Sequence, residues 1–127
     1  MIGYITLGTN DLEMAGKFYD ELLAELGAKR AMTDERMLGW STGDGALFSV
    51  ITPFDEEQAT FGNGTMIALD VGAGEAVEGL YNKAISLGAK DEGAPHDRGS
   101  SMGFDGGYFR DLDGNKLVFY CLGWKPD

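Results

Sequence analysis

Side chains able to do chemistry are few in this chain, and their spacing decides what each can do. The one histidine, His96, lies in Ala94-Pro95-His96-Asp97-Arg98. No motif around it supplies a partner for general-base work, so it reads as a solvated loop residue. Its chemical use would be a binding contact: His96 and Arg98 at a site mouth, meeting an anionic group. Gly99-Ser100-Ser101-Met102-Gly103 spells a Gly-x-Ser-x-Gly nucleophile elbow. That elbow needs a strand before it, a helix after it, and serine, acid and histidine in that chain order. Here the histidine precedes the serine and a strand follows, so the segment reads as a glycine-rich loop. Asp111, Asp113 and Asn115 alternate as in a calcium loop, but no glutamate follows at the closing position, and Asp113-Gly114 fits a hairpin turn. Gly72-Ala73-Gly74 lacks the spacing of a dinucleotide fingerprint. Cys121 falls two residues after Phe119 and so reads as a buried thiol on the helix side.

The elements that must position these residues are written twice. Ile5-Thr6-Leu7 opens an apolar strand, and a helix carrying Phe18-Tyr19 ends at Leu26-Gly27-Ala28-Lys29. About sixty residues on, Ile67-Ala68-Leu69 leads to a helix carrying Leu80-Tyr81 that ends at Leu87-Gly88-Ala89-Lys90. Each copy continues into strands turned at Asp-Gly: Asp44-Gly45 and Asp113-Gly114. Two copies of so long a period suit a duplicated module and not a solenoid, which needs at least three repeats. In the first helix Thr9-Asn10-Asp11 offers cap residues, with Glu13 three past Asn10 as a capping box. Ala15, Phe18, Tyr19, Leu22 and Leu26 follow helical spacing; Val77, Leu80, Tyr81, Ala84 and Ile85 repeat that stripe. Gly27 and Gly88 suit the left-handed position after a helix.

The spacing therefore predicts an α+β chain of two βαβββ modules forming a curved, cleft-enclosing mixed sheet with the helices outside. The chain 1–127 reads as a single domain: module one 1–53, a polar connector 54–64, and module two 65–123. Period-two alternation sorts the strand residues. Ile5 and Leu7 oppose Tyr4 and Thr6; Ile67 and Leu69 oppose Met66, Ala68 and Asp70; Leu117 and Phe119 oppose Val118 and Tyr120. The apolar faces are expected to take the helices, and the mixed faces to line a small-molecule pocket; the alternative is that they pack against the other module or a second chain. The expected lining is Tyr4, Thr6, Trp40, Ser49, Met66, Val118 and Tyr120, with Arg98 at the mouth. Trp40, Tyr4 and Tyr120 would form an aromatic wall for a flat or cationic ligand. Trp124 is expected to cover a core edge or a subunit contact.

The paired modules, the start Asn10-Asp11-Leu12 with Phe18-Tyr19, and the closing Phe109-Arg110-Asp111-Leu112-Asp113-Gly114-Asn115-Lys116-Leu117 resemble the vicinal oxygen chelate superfamily. That group includes glyoxalases, bleomycin-resistance proteins, fosfomycin-resistance proteins and extradiol dioxygenases. The closing segment is similar to the family's Arg-Asp-Pro-Asp-Gly-Asn stretch, with Leu112 in place of proline. The resemblance implies a divalent metal held at four positions, one in the first and one in the last strand of each module. Those positions fall on Tyr4, Ser49, Met66 and Val118, where histidine and glutamate would be expected. None is a good ligand for Zn, Ni, Fe or Mn. A one-residue slip does not restore the site, since Leu117 and Phe119 flank Val118 and Thr65 and Ile67 flank Met66.

Composition excludes other classes. A hydrophobic content of 43% over 127 residues allows a core without staples. A net charge of −11 argues against nucleic acid, which needs concentrated Lys and Arg; it reads first as solubility, and favours a cationic ligand where part of the charge lines a cleft. No apolar run reaches the ~18 residues that span a membrane. One cysteine and a start without a signal-peptide pattern give the cytoplasm as the expected compartment. The expected function is small-molecule binding of the glyoxalase/bleomycin-resistance type with the catalytic metal site lost and no cofactor. The alternative is a metal-dependent glyoxalase-type lyase, similar to a lactoylglutathione lyase. The resemblance also implies a homodimer.

Overall fold

The computed structural model describes residues 1–99, 105–124 and 126. Two compact units divide the chain, 1–61 and 62–127. In the first, the order is β1 (Tyr4–Gly8), α1 (Leu12–Ala24), β2 (Lys29–Thr33), β3 (Met37–Ser41) and β4 (Leu47–Ile51). In the second it is β5 (Ile67–Asp70), α2 (Ala76–Ser86), β6 (Lys90–Gly93), β7 (Gly107–Arg110) and β8 (Lys116–Tyr120). Each unit is thus a βαβββ module, as the repeat predicts. Residues 54–61 of the expected connector belong with unit one: buried Ala59 exchanges two hydrogen bonds with the Asn10 amide, at 2.7 and 3.3 Å.

Helix α1 begins at Asp11, whose carboxylate accepts from the Met14 N–H at 3.0 Å. The cap is therefore Asp11 and not Asn10, whose amide is engaged by the connector, and Glu13 pairs with Lys17 along the helix. Ala15, Phe18, Tyr19, Leu22 and Leu23 are buried, and removing each larger one from water contributes about 1.5–3 kcal/mol. The Tyr19 ring meets Phe48 at 4.9 Å and Trp40 at 5.6 Å between centroids. The Trp40 indole N–H donates to Asp20 at 2.8 Å, and Arg30 binds the same carboxylate through two nitrogens at 2.8 and 2.9 Å. In unit two, Val77, Leu80, Tyr81 and Ala84 face the sheet, where Phe109 and Phe119 stack at 5.2 Å. The Tyr81 hydroxyl donates to Asp91 at 2.5 Å. Gly27 and Gly88 take φ of 75° and 107°, the left-handed turn that ends both helices. Trp124 lies on the backbone of Gly74, where a Cβ would come within 1.9 Å of the indole.

The sheets correct one expectation. The strands do not form a single curved, cleft-enclosing sheet. They form two separate open sheets of four strands, ordered β1-β4-β3-β2 and β5-β8-β7-β6. Neither closes, because each ends in edge strands: β1 and β2 in one, β5 and β6 in the other. The first strand of each module pairs parallel with its own last strand, β1 with β4 and β5 with β8, and the remaining pairings are antiparallel. That ladder satisfies each module from within. The duplication is deep enough to repeat a defect: the register shifts between Arg30 and Met32 in β2 and between Asp91 and Gly93 in β6.

The Asp20 cluster makes a prediction. Burial works against the Asp20 charge, but the Arg30 and Trp40 hydrogen bonds and the Arg30 charge outweigh it and hold the carboxyl below its ordinary 3.8. Trp40→Phe keeps a ring and removes one donor, so it is expected to cost about 1–2 kcal/mol in urea unfolding at neutral pH. A depressed carboxyl stabilises the fold fully above its unfolded value and loses that effect as pH falls through the folded value. The gap between wild type and variant is therefore expected to narrow below about pH 3.8. An equal gap at pH 3 and pH 7 would break the assignment.

Candidate functional site

Packing α1 on one face of the first sheet leaves the other face as its functional candidate. Register places Thr6 opposite Ser49 and Ser49 opposite Gly39 across three adjacent strands. Tyr4 pairs with Leu47 and Gly39 with Met32 on the same side. Tyr4 and Thr6 are exposed, Tyr4 at 65%. Ser49 is fully buried, and its Oγ has no hydrogen-bond partner among the described residues. Gly39 makes room beside it: a Cβ there would meet Leu47 at 2.9 Å and the Ser49 Oγ at 3.1 Å. Trp40, expected with these residues, is one step along β3 and points the other way. It pairs with Phe48 and packs under α1 at 1% exposure, because a single residue of register exchanges the faces of a strand.

On the second sheet α2 takes Leu117, Phe119 and Phe109, all fully buried. The opposite face carries Ala68 beside Val118, Val118 beside Tyr108, and Lys116 beside Arg110. Asp70 pairs with Tyr120 on that side. Val118 is 3% exposed, Met66 is 40% exposed and Tyr120 lies between. Arg98, from the loop between β6 and β7, sets its guanidinium carbon 4.9 Å from the Tyr108 ring centre, and the Lys116 Nζ is 5.7 Å from it. Arg98 is held by the carbonyls of Gly106 at 2.8 Å, Ala94 at 2.7 Å and His96 at 3.4 Å. Tyr108 and Lys116 were not among the residues expected from sequence. The alternation that selects Val118 and Tyr120 also selects Lys116, and the hairpin pairing of Val118 would have added Tyr108.

Other groups have structural work. Asp111 accepts from the N–H groups of Asp113 and Asn115, and the Asn115 amide returns to it at 3.0 Å. This network fastens the β7–β8 turn, and Arg110 ties in by donating to the Gly114 carbonyl and to Glu92. The His96 Nδ1 lies 2.9 Å from the Ala94 carbonyl in an exposed loop. Cys121 lies just beyond β8 and is half-buried. The Gly-x-Ser-x-Gly segment falls, after Gly99, outside the described residues. Burial and the Asp91 hydrogen bond push the Tyr81 phenol up to about 12. The same bond, followed by the Gly93 N–H, holds the Asp91 carboxyl below its ordinary value. A recess of about 380 Å³ at the end of sheet one, lined by Thr9, Asn10, Arg36, Thr52, Glu56 and Glu57 among others, was not foreseen. Arg36 there already donates to the Thr52 carbonyl and lies over the Phe54 ring.

A divalent metal does not fit the implied positions. In both modules the two positions stand in the same relation: Ser49 opposite Thr6, two residues from Tyr4, and Val118 opposite Ala68, two residues from Met66. A buried valine, an exposed methionine, a tyrosine and a serine hydroxyl offer no set of imidazoles or carboxylates. Among the described residues, no three His, Cys, Asp or Glu side chains are grouped to hold a metal ion. No helix among them is long and apolar enough to cross a membrane.

Comparison with known proteins gives a consistent result. The family model described as Glyoxalase/Bleomycin resistance protein/Dioxygenase superfamily matches residues 1–119. A glyoxalase/bleomycin resistance protein from Albidiferax ferrireducens T118 is similar at 29% identity and TM-score 0.81, over 94% of this chain and 96% of that one. A hypothetical protein from S. aureus has 28% identity and TM-score 0.71, over 95% and 92%. A glyoxalase-related enzyme from Fulvimarina pelagi shares the fold at 19% identity and TM-score 0.70, over 99% of both chains. No curated protein matches.

The unpartnered Ser49 hydroxyl carries a desolvation cost that a methyl group would not. Ser49→Ala is expected to raise stability by about 1 kcal/mol, read as a higher urea midpoint at unchanged slope. A fall of similar size would mean that the hydroxyl is hydrogen-bonded in solution.

Proposed function

The chain belongs to the Glyoxalase/Bleomycin resistance protein/Dioxygenase superfamily, and from that premise we propose that it is a small-molecule-binding protein whose catalytic metal site has been lost. Membership alone does not choose the activity, since one fold carries several chemistries. The observation that carries the reading is the chemistry of the four implied metal positions. Tyr4, Ser49, Met66 and Val118 occupy matching places in two modules whose registers agree. A single substitution would leave a damaged site; here both halves lack every expected ligand. The faces left open by the helices supply binding groups instead. Sheet one offers Tyr4 and Thr6; sheet two offers Met66 and Tyr120, with Arg98 above Tyr108. Val118 and Ser49 act on this reading as the buried floor under those groups. Trp40 acts only indirectly, by holding β3 against α1.

The protein works in the cytoplasm as a homodimer on this reading, in keeping with its single cysteine and with the family resemblance. The net charge of −11 favours a cationic ligand at long range and the exposed Tyr4 ring suits an aromatic one, although the charge beside Tyr108 is locally of the opposite sign.

The test is elemental analysis of protein purified without chelators and quantified per chain. The expected outcome is Zn, Ni, Mn and Fe well below one equivalent. Near-stoichiometric metal would overturn the reading in favour of the alternative, a glyoxalase-type lyase, and a lyase assay would then follow.

A further inference from the structure

The two modules share register, bulge and helix contacts, so the places where they differ report what each half was changed to do. At the centre of the open face, sheet one has Gly39 opposite Ser49, and sheet two has Tyr108 opposite Val118. Two residues before these partners stand Leu47 in one module and Lys116 in the other. In sheet one the result is apolar and closed, with the Leu47 side chain lying over Gly39. In sheet two it is an aromatic ring flanked by two cations. The loop that delivers the second cation differs as well: residues 34–36 join β2 to β3, whereas residues 94–106 join β6 to β7.

The cations at that ring are a local feature. Over the second sheet and its β6–β7 loop, Lys90, Arg98, Arg110 and Lys116 stand among five acids, Asp70, Asp91, Glu92, Asp97 and Asp105, and what distinguishes the Tyr108 ring is that two of those cations meet on it. Arg110 is paired with Glu92 at 2.8 Å. Arg98 and Lys116 have no carboxylate within ion-pair distance among the described residues. The guanidinium of Arg98 is fixed by neutral carbonyls, with two nitrogens occupied and no hydrogen bond from its Nε among the described residues. Asp105 takes the backbone N–H of Arg98, not its side chain. Asp91 is engaged by Tyr81 and the Gly93 N–H. A ring face holds cations without neutralising them, so Tyr108 positions two charges that act on Asp91 and Glu92 only at longer range than an ion pair and can still meet a ligand. The Glu92 carboxyl lies below its ordinary value chiefly through its hydrogen bond from Arg110, with the Arg110, Lys116 and Lys90 charges adding to the effect.

We propose that the open face of the second sheet binds a small organic anion, a carboxylate or a phosphate monoester, whose charged oxygens lie between Arg98 and Lys116 beside Tyr108. This deepens the binding function and rests on it. It replaces the expected cationic ligand with an anionic one at this face. A guanidinium fixed in advance suits such oxygens, because little order is lost when they arrive. The acidic remainder of the surface then selects against large polyanions while the local site accepts a small one.

The experiment titrates isotope-labelled protein with benzoate and with phenyl phosphate, followed by backbone amide shifts, with benzylammonium and benzyl alcohol as matched controls. Either anion is expected to shift amides of β7 and β8 saturably, more weakly at high salt, and the tighter of the two identifies the acid group. Lys116→Gln is expected to weaken binding about tenfold at unchanged spectrum in the free state. Arg98→Lys, which keeps charge and loses the fixed fork, is expected to weaken it as well. Unchanged affinity in Lys116→Gln overturns the proposal, as does an absence of anion shifts in β7 and β8 at millimolar concentration. If benzylammonium or benzyl alcohol shifts those strands and the anions do not, the anion assignment falls while small-molecule binding stands. Failure of the binding function itself is read separately, as stoichiometric metal in the elemental analysis.

Discussion

Both modules depend on one constraint: a strand gives each neighbour in sequence the opposite face, and the helix takes whichever face is apolar. Tyr19 on α1 and Tyr81 on α2 enforce the choice. Tyr19 packs on Phe48 and Trp40; Tyr81 lies over Gly107, where a Cβ would come within 2.8 Å of it, and bonds to Asp91. Once those contacts form, Leu7, Val50, Leu117 and Phe119 must point inward, and Thr6, Ser49, Lys116 and Val118 must point away. A shift of one residue would put Lys116 beneath α2, and burying an unpaired charge costs far more than any local contact returns. Pleat and helix together therefore decide which residues can meet a ligand.

Against that common frame the two copies differ in kind. Polar anchors fix the helix side of each, but with different chemistry. Module one uses an acid, Asp20, shared by Trp40 and Arg30; module two uses a phenol, Tyr81, donating to Asp91. The open faces differ more. A glycine and a leucine give sheet one a filled, neutral centre, and a tyrosine and a lysine give sheet two a charged one. Duplication permits such divergence, because the helix side of each module keeps its own core contacts while the opposite face differs around the buried Ser49 and Val118.

The proposed loss of a metal site fits the same division. Metal ligands on an open face must be deprotonated and held in fixed geometry, and nothing in the helix packing supplies that. Replacing them leaves the core untouched. Ser49 and Val118 are buried parts of their own sheets.

The duplicated βαβββ pattern, the two helix stripes, the glycine stops and the strand alternation were legible in the sequence, because each is a local periodicity. Family membership was legible for the same reason, carried by the repeat and by the closing Arg110–Lys116 stretch. Trp40 shows where this reading ends: an aromatic residue in a strand suits either face, and only its pairing with Phe48 assigned it to the core. Of the three cap residues Thr9-Asn10-Asp11 the fold uses Asp11, because Asn10, on which the capping box was placed, is claimed by Ala59, a contact 49 residues away. The sequence likewise could not tell one curved sheet from two open ones, since strand pairing is a property of backbones far apart in the chain. Lys116 and Arg98 lie 18 residues apart, and no periodicity links them. Only the folded sheet brings both to the Tyr108 ring, because a loop and a strand meet there through carbonyl contacts that composition does not encode.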